Sequence, residues 1–245
     1  MWDLESTLRS SQTQILALAK EFPKVRVFSV AVDVTNAEEV AEGVKAVVQT
    51  LGSIEHLFSF AGVVGCVPAM DMTDAQWRKT LDVNATGSFL CAQAAARQMA
   101  AQKTGGCSIT LTASISAHRV NYPQPQVAYN VSKAAIVSLK SSLAAEWAVH
   151  GIRVNSISPG YMDTILNAGE GSIKEARNIW ASRNPMGRMG AVGELDGMCV
   201  LLASKLSLHY VCTLLQHYIL IVLTGRAGSY INGADMVVDG GAIAF

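Results

Sequence analysis

The chain has 245 residues, half of them hydrophobic and 16% charged, a composition that argues against disorder and suits one large α/β domain with a substantial core. Its 19 basic residues balance 19 acidic ones, so nothing in the charge points to a nucleic acid or an anionic membrane surface as partner.

Residues 8–21 carry an amphipathic helical pattern. A β-rich run over 25–34 includes Asp33 near its end, and Thr35 or Asn36 then caps a helix predicted to run through Leu51. A short apolar strand over 56–60 enters Ala61-Gly62, and a long helix is predicted over 73–101 with Asn84 inside it. A strand over 108–112 ends in the hydroxyl-rich Thr112-Ala113-Ser114-Ile115-Ser116, and a long helical pattern covers 128–150. Residues 151–160 read as a second buried strand closed by Pro159-Gly160. A variable, lid-like segment over 167–184, a helix over 192–204 and a last strand over 235–238 complete the chain. Strands alternating with helices imply a parallel, doubly wound α/β sheet in a single domain, with no internal repeat.

Five cysteines (Cys66, Cys91, Cys107, Cys199 and Cys212) show no Cys-x-x-Cys spacing. They are expected to be buried thiols in a reducing compartment, not metal ligands or a disulfide framework. The N-terminal residues lack a basic stretch followed by an apolar one, so no secretory signal is expected and the cytoplasm is the default location.

Tyr129 and Lys133 stand four residues apart in Tyr-Asn-Val-Ser-Lys. On a helix these positions share one face, and a nearby ammonium favours phenolate, which suits the phenol to acid–base work. Taken alone, the pair reads more simply as two helix-surface side chains. Its neighbours change that reading. Ser114, the Tyr129–Lys133 motif, Asn155, Pro159-Gly160, the run Asp82-Val83-Asn84-Ala85-Thr86-Gly87 and the terminal Asp239-Gly240-Gly241 together resemble the short-chain dehydrogenase/reductase family. The resemblance extends from about Asp33 onward.

The resemblance implies a Rossmann-like sheet and hydride transfer between NADP or NAD and a small carbonyl or alcohol substrate. Tyr129 would be the acid/base at the substrate oxygen. Lys133 would lower the Tyr129 pKa and bind the nicotinamide ribose, and Ser114 would hydrogen-bond the same oxygen. Asn84 would anchor a water linking Lys133 to solvent. The serine is ambiguous: Ser116 fits the family's common spacing to Tyr129, but Ser114 directly follows the strand and is preferred. On the cofactor side the resemblance assigns Asp33 to the adenine amino group and Val34 to its ring. Ala61-Gly62 would permit a close backbone approach. Pro159, Gly160 and Thr164 would flank the nicotinamide, and no metal is implied. The run 121–126, with 158–164, resembles the polyol and ketose reductases of the family (mannitol, arabinitol, sorbose or xylulose types). The family's assembly through two long helices implies a homo-oligomer, a tetramer or a dimer.

Three departures stand out. Phe60 replaces an asparagine that precedes Ala-Gly in the family. No glycine-rich turn occurs, although such a turn presents N–H groups to a pyrophosphate. The expectation is a Rossmann-like sheet lacking its first strand, glycine-rich turn and helix, with Met1-Trp2-Asp3-Leu4 as the tail of the second strand and an unpaired edge beside Leu57. An apolar insert over 205–226 interrupts a family-like junction. It is expected to be translated non-coding sequence, with the true start upstream. A membrane anchor there is disfavoured, because the run is short and broken by His209, Gln216 and His217. The rival reading is a catalytically inactive fragment that acts through subunit association.

Overall fold

The computed structural model describes residues 2–3, 5–164, 172–204 and 228–244. The expected insert over 205–226, Cys212 and the first part of the lid-like segment lie outside the described residues.

Four parallel strands form the main sheet, in the order β3 (His56–Ser59), β4 (Cys107–Thr112), β5 (Ile152–Pro159), β6 (Asp235–Val238). β4 and β5 are buried along nearly their whole length, as central strands of a sheet covered on both faces must be. β1 (Trp2–Asp3) and β2 (Val30–Ala31) form a separate parallel pair, so β3 is an edge of the main sheet. The β-rich run at 25–34 therefore contributes two strand residues, fewer than its pattern suggested, because a strand is defined by a partner and β1 offers two residues.

Helices α1 (Glu5–Ser10) and α2 (Gln12–Glu21) replace the single predicted helix, with a turn at Ser11 between them. In α3 (Ala37–Leu51) the Asn36 side chain accepts the N–H groups of Glu38 and Glu39, and Gly52 ends the helix at φ 101°, a conformation that favours glycine. The predicted helix over 73–101 is broken into α4 (Asp74–Leu81), a π-helical turn Asp82–Thr86 and α5 (Gly87–Gln102). Thr73 opens α4 with a capping box to Gln76. α6 (Val127–Trp147) carries the Tyr129 motif. α7 (Ser172–Ser182) and α8 (Asp196–Ala203) follow, the latter entered by a short 3₁₀ turn.

The core joins the sheet to α3, α5 and α6. Ile109, Leu111, Ile136 and Val154 belong to one cluster of buried side chains, as do Ala92, Ala95 and Met99 of α5. Small residues on α5 let that helix approach the sheet closely, and Ile136 fixes the depth of α6. Cys91 and Cys107 are buried as expected and Cys199 is partly so, but Cys66 is exposed, because it stands in the loop after β3 and not in an element packed on the core.

Ile136→Ala should lower the unfolding free energy by about 2–5 kcal/mol, since it leaves a cavity between α6 and the sheet. Thr73→Ala, which removes one helix cap, should lose only about 1 kcal/mol. Urea denaturation of both variants checks the order; a larger loss at Thr73 would mean that Ile136 does not hold α6 in place.

Candidate active site

The C-terminal ends of parallel strands point into one edge of an α/β sheet, and ligands bind there. Here that edge is formed by Ser59, Thr112, Pro159 and Val238, followed in the chain by Ala61-Gly62, Ser114, Gly160 and Asp239. β4 ends, and extended backbone at Ser114 (φ −173°, ψ 159°) leads into a 3₁₀ turn, Ile115–Ala117, whose Ser116 N–H the Ser114 side chain accepts. That turn holds the Ser114 hydroxyl near enough to Tyr129 to influence its titration, while the hydroxyl itself donates to Ser116 Oγ at 3.1 Å.

Tyr129 and Lys133 lie on the same face of α6, with the ammonium 5.6 Å from the ring centroid. Lys133 is 4% exposed and donates to the Thr112 carbonyl at 2.7 Å, which ties α6 to the end of β4. Burial pushes its pKa down to about 8. Burial also raises the Tyr129 pKa, against a downward pull from the Ser114 hydroxyl, while neighbouring Tyr161 raises it further. The net shift of the phenol is thus upward, where the sequence led to the expectation of a lowered value beside Lys133. The dominant influence on both groups is removal from water, which disfavours phenolate and ammonium alike.

Asn84 is wholly buried in the π-helical turn. Its Oδ1 accepts the Val63 N–H at 2.8 Å, and its Nδ2 donates to the Val63 carbonyl and to Ser132 Oγ, each at 2.9 Å. Ser132 Oγ in turn donates to the Tyr129 carbonyl at 2.7 Å. Asn84 thus fastens the loop after β3 to the first turn of α6. Its side chain makes these three protein hydrogen bonds. A π-turn is a frequent mark of a functional position, and here it turns Asn84 inward.

Gly62 lies against this cluster: a Cβ there would stand 3.4 Å from Asn84 Oδ1 and 3.6 Å from Lys133 Nζ. Gly160 faces the other way, and a Cβ there would come within 2.8 Å of Asp239 Cα. Pro159 ends β5 on the same edge, and Thr164 donates its N–H to the Met162 carbonyl. Ala61 is exposed beside Phe60, whose ring is stacked on Phe58 at 6.1 Å and half open to solvent.

Asp33 and Val34 are not brought to this cluster. They follow β2, and the Thr35 N–H and hydroxyl both donate to Asp33 Oδ1, holding its carboxyl below the usual carboxylate range. Val34 reaches the catalytic side indirectly, against Gly87 at the start of α5. A groove of about 510 Å³ along α3, lined by Glu38, Glu39 and Glu42, contains none of the predicted site residues. Its acidic wall is unsuited to a phosphate group.

A second layer of side chains had no role assigned from sequence. Gln126, buried at the start of α6, donates to Ser116 Oγ at 3.3 Å, and Ser116 bonds Ser114 at 3.1 Å. Tyr161 stacks on Trp180 with centroids 4.5 Å apart and planes 5° from parallel. His118 bonds Asp235 at 2.8 Å, fixing the turn after Ser114 to β6. Ser132, within the quoted motif, was legible as sharing a face with Tyr129, three residues earlier.

The chemistry of this set is a proton donor on a carbonyl or alcohol oxygen, a second hydroxyl beside it and a buried cation behind. Comparison with known proteins agrees. The family model described as Enoyl-(Acyl carrier protein) reductase matches residues 5–213. The galactitol 2-dehydrogenase of Rhizobium johnstonii is 45% identical over 138 residues, which are 56% of this chain and 53% of that protein, so the match spans about half its length. The NADP-dependent mannitol dehydrogenase of Hypocrea jecorina is 36% identical over 91% of this chain and 74% of its own. The structure of a short-chain type dehydrogenase/reductase from Mycobacterium marinum superposes with a TM-score of 0.77 at 34% identity, covering 94% of this chain and 82% of that one. With the Ser114, Tyr129 and Lys133 cluster at the strand ends, these likenesses place the chain in the short-chain dehydrogenase/reductase family.

Proposed function

We propose that this chain works as an NAD(P)-dependent oxidoreductase that interconverts a ketose and a polyol. The observation that carries the reading is the convergence of Ser114 and Tyr129 past the end of β4, with the Lys133 ammonium 5.6 Å from the phenol ring and buried behind it. The similar mannitol and galactitol dehydrogenases support the substrate class.

A bound nicotinamide supplies or accepts the hydride. The residues present fit its ribose end: Gly62 leaves open the space that a Cβ would take between Asn84 and Lys133. The sequence holds no glycine-rich turn, so no residue is assigned to the pyrophosphate. In reduction, Tyr129 donates its phenolic proton to the substrate oxygen as negative charge develops there. Ser114 shares that charge by a second hydrogen bond, and the Lys133 cation stabilises the tyrosinate left behind. The raised pKa of Tyr129 keeps it protonated at neutral pH, ready to act as the acid. Asn84 and Ser132 hold the first turn of α6 so that the phenol keeps its position.

Purified protein is assayed with fructose and NADPH or NADH, following loss of reduced nicotinamide. Tyr129→Phe should lower kcat by about 10²–10⁴-fold. Undiminished activity in that variant, or failure of the wild type to bind either cofactor by calorimetry, would sink the proposal. Ser114→Ala should reduce turnover far more than Ser116→Ala, because Ser114 meets Tyr129 and Ser116 stands behind it; the reverse order would move the role to Ser116. Lys133→Met should abolish activity yet stabilise the fold. With the native pKa at about 8 against 10.5 when unfolded, holding the ammonium buried costs about 3 kcal/mol at neutral pH. The folded lysine loses its proton above about pH 8 while the unfolded one keeps it to about 10.5, so wild-type stability rises across that window. The advantage of the methionine variant should therefore be largest below pH 8 and vanish towards 10.5. Thermal unfolding at pH 7 and pH 10 measures it.

A further inference from the structure

The loop ahead of α6 does more than carry Gln126 to the serines. Its other end, Asn121, is 5% exposed, and the Asn121 Oδ1 has no hydrogen-bond partner among the described residues. An amide oxygen buried in this way is costly unless a donor reaches it.

The network around Asn121 fixes which atom is left over. The indole N–H of Trp180 can only donate, and it meets the Gln124 side chain at 3.2 Å, so that atom is the Gln124 carbonyl oxygen. The same oxygen is 2.5 Å from the Tyr161 hydroxyl, which must spend its single proton there. Tyr161 is then an acceptor towards Asn121, 2.9 Å away, and Asn121 must offer it the amide N–H. One donor-only indole therefore sets three successive directions and leaves a bare acceptor at the end of the chain.

The loop and the tyrosine that hold this acceptor border the reacting centre. Tyr161 is near enough to Tyr129 to perturb its titration, and the loop that holds Asn121 and Gln124 also places Gln126 behind Ser116 and Ser114. The flat Tyr161–Trp180 stack adds an apolar wall of the kind that takes the C–H face of a sugar chain.

We propose that Asn121 Oδ1 is a specificity-determining subsite that accepts a hydrogen bond from a substrate hydroxyl away from the reacting carbon. The subsite demands a donor. A hydroxyl satisfies it, whereas a carbonyl, ether or carboxylate oxygen at that place brings no proton and leaves the acceptor unpaired. It rests on the proposed carbonyl chemistry at Tyr129 and gives that site its preference for polyhydroxylated substrates.

The test compares kcat/KM for 2-hexanone with that for its monohydroxylated derivatives, in the wild type and in Asn121→Ala. In the wild type one hydroxyl position should raise kcat/KM by about 10–100-fold over 2-hexanone. In Asn121→Ala that preference should fall at least tenfold while 2-hexanone itself changes less than threefold. The subsite is overturned if the wild type shows no hydroxyl preference, if the variant keeps it, or if both substrates lose equally, which would mark Asn121 as structural. Fructose is run alongside: a wild type that selects hydroxylated hexanones yet turns over no ketose overturns the sugar reading and leaves the subsite standing. If no carbonyl is reduced, mannitol is titrated into protein with NADP present and followed by tryptophan emission. At least tenfold weaker binding to Asn121→Ala then supports the subsite, and equal affinity overturns it.

Discussion

The hydrogen bond from the Lys133 ammonium to the Thr112 carbonyl is the constraint around which the site is organised. A charge this deeply buried is tolerated because a strand carbonyl meets it, and that bond fixes α6 against the end of β4. Once α6 is fixed, Tyr129 one turn earlier is fixed too, and Ser114 just past the strand finds it. Gly62 borders the same pair, and a Cβ there would stand at ordinary contact distance from the ammonium and the Asn84 amide. The site therefore has an energetic character opposite to that of the core. Ile109, Leu111 and Val154 stabilise by leaving water, whereas Lys133 is held in place despite leaving it.

The strongest periodicities in the sequence were read closely. α3, β4 and β5 fall within one or two residues of the predicted spans, and α6 gives up its last three residues to a 3₁₀ turn, because each presents a regular apolar face or a fully buried run. The grouping of Ser114, Tyr129 and Lys133 was legible from their order relative to strand and helix. What was not legible depends on atoms distant in the chain. The π-turn around Asn84 exists because its amide must reach Val63 and Ser132, 21 and 48 residues away. The direction of the Tyr129 shift could not be read from its spacing to Lys133, since burial is a property of the surroundings. The run at 25–34 had strand composition but needed neighbours that the local sequence does not reveal.

The second layer explains why a loop with two prolines and three amides precedes the catalytic helix. Its amides are not interchangeable polar filler. Gln126 faces the serines, Gln124 joins Tyr161 to Trp180, and Asn121 ends the line. Polar groups buried in such a line restrict one another's proton positions, so a single donor-only group fixes the polarity of the whole.

The break between the two sheets has a mechanical meaning. No ladder hydrogen bond crosses from β2 to β3, so the Asp33–Val34 end is not held to the catalytic end by main-chain pairing. The link is instead side-chain packing: Val30, Val32 and Val34 share a cluster with Leu57, Cys91 and Ala94, and a Cβ at Gly87 would lie 2.8 Å from Val34 Cγ2. Gly87 begins α5 directly after the turn that aims Asn84. A displacement of the Asp33 loop would thus be transmitted as a push on the helix that grips the first turn of α6. The two ends of the molecule communicate through van der Waals packing of apolar side chains, which can slide where a shared ladder could not.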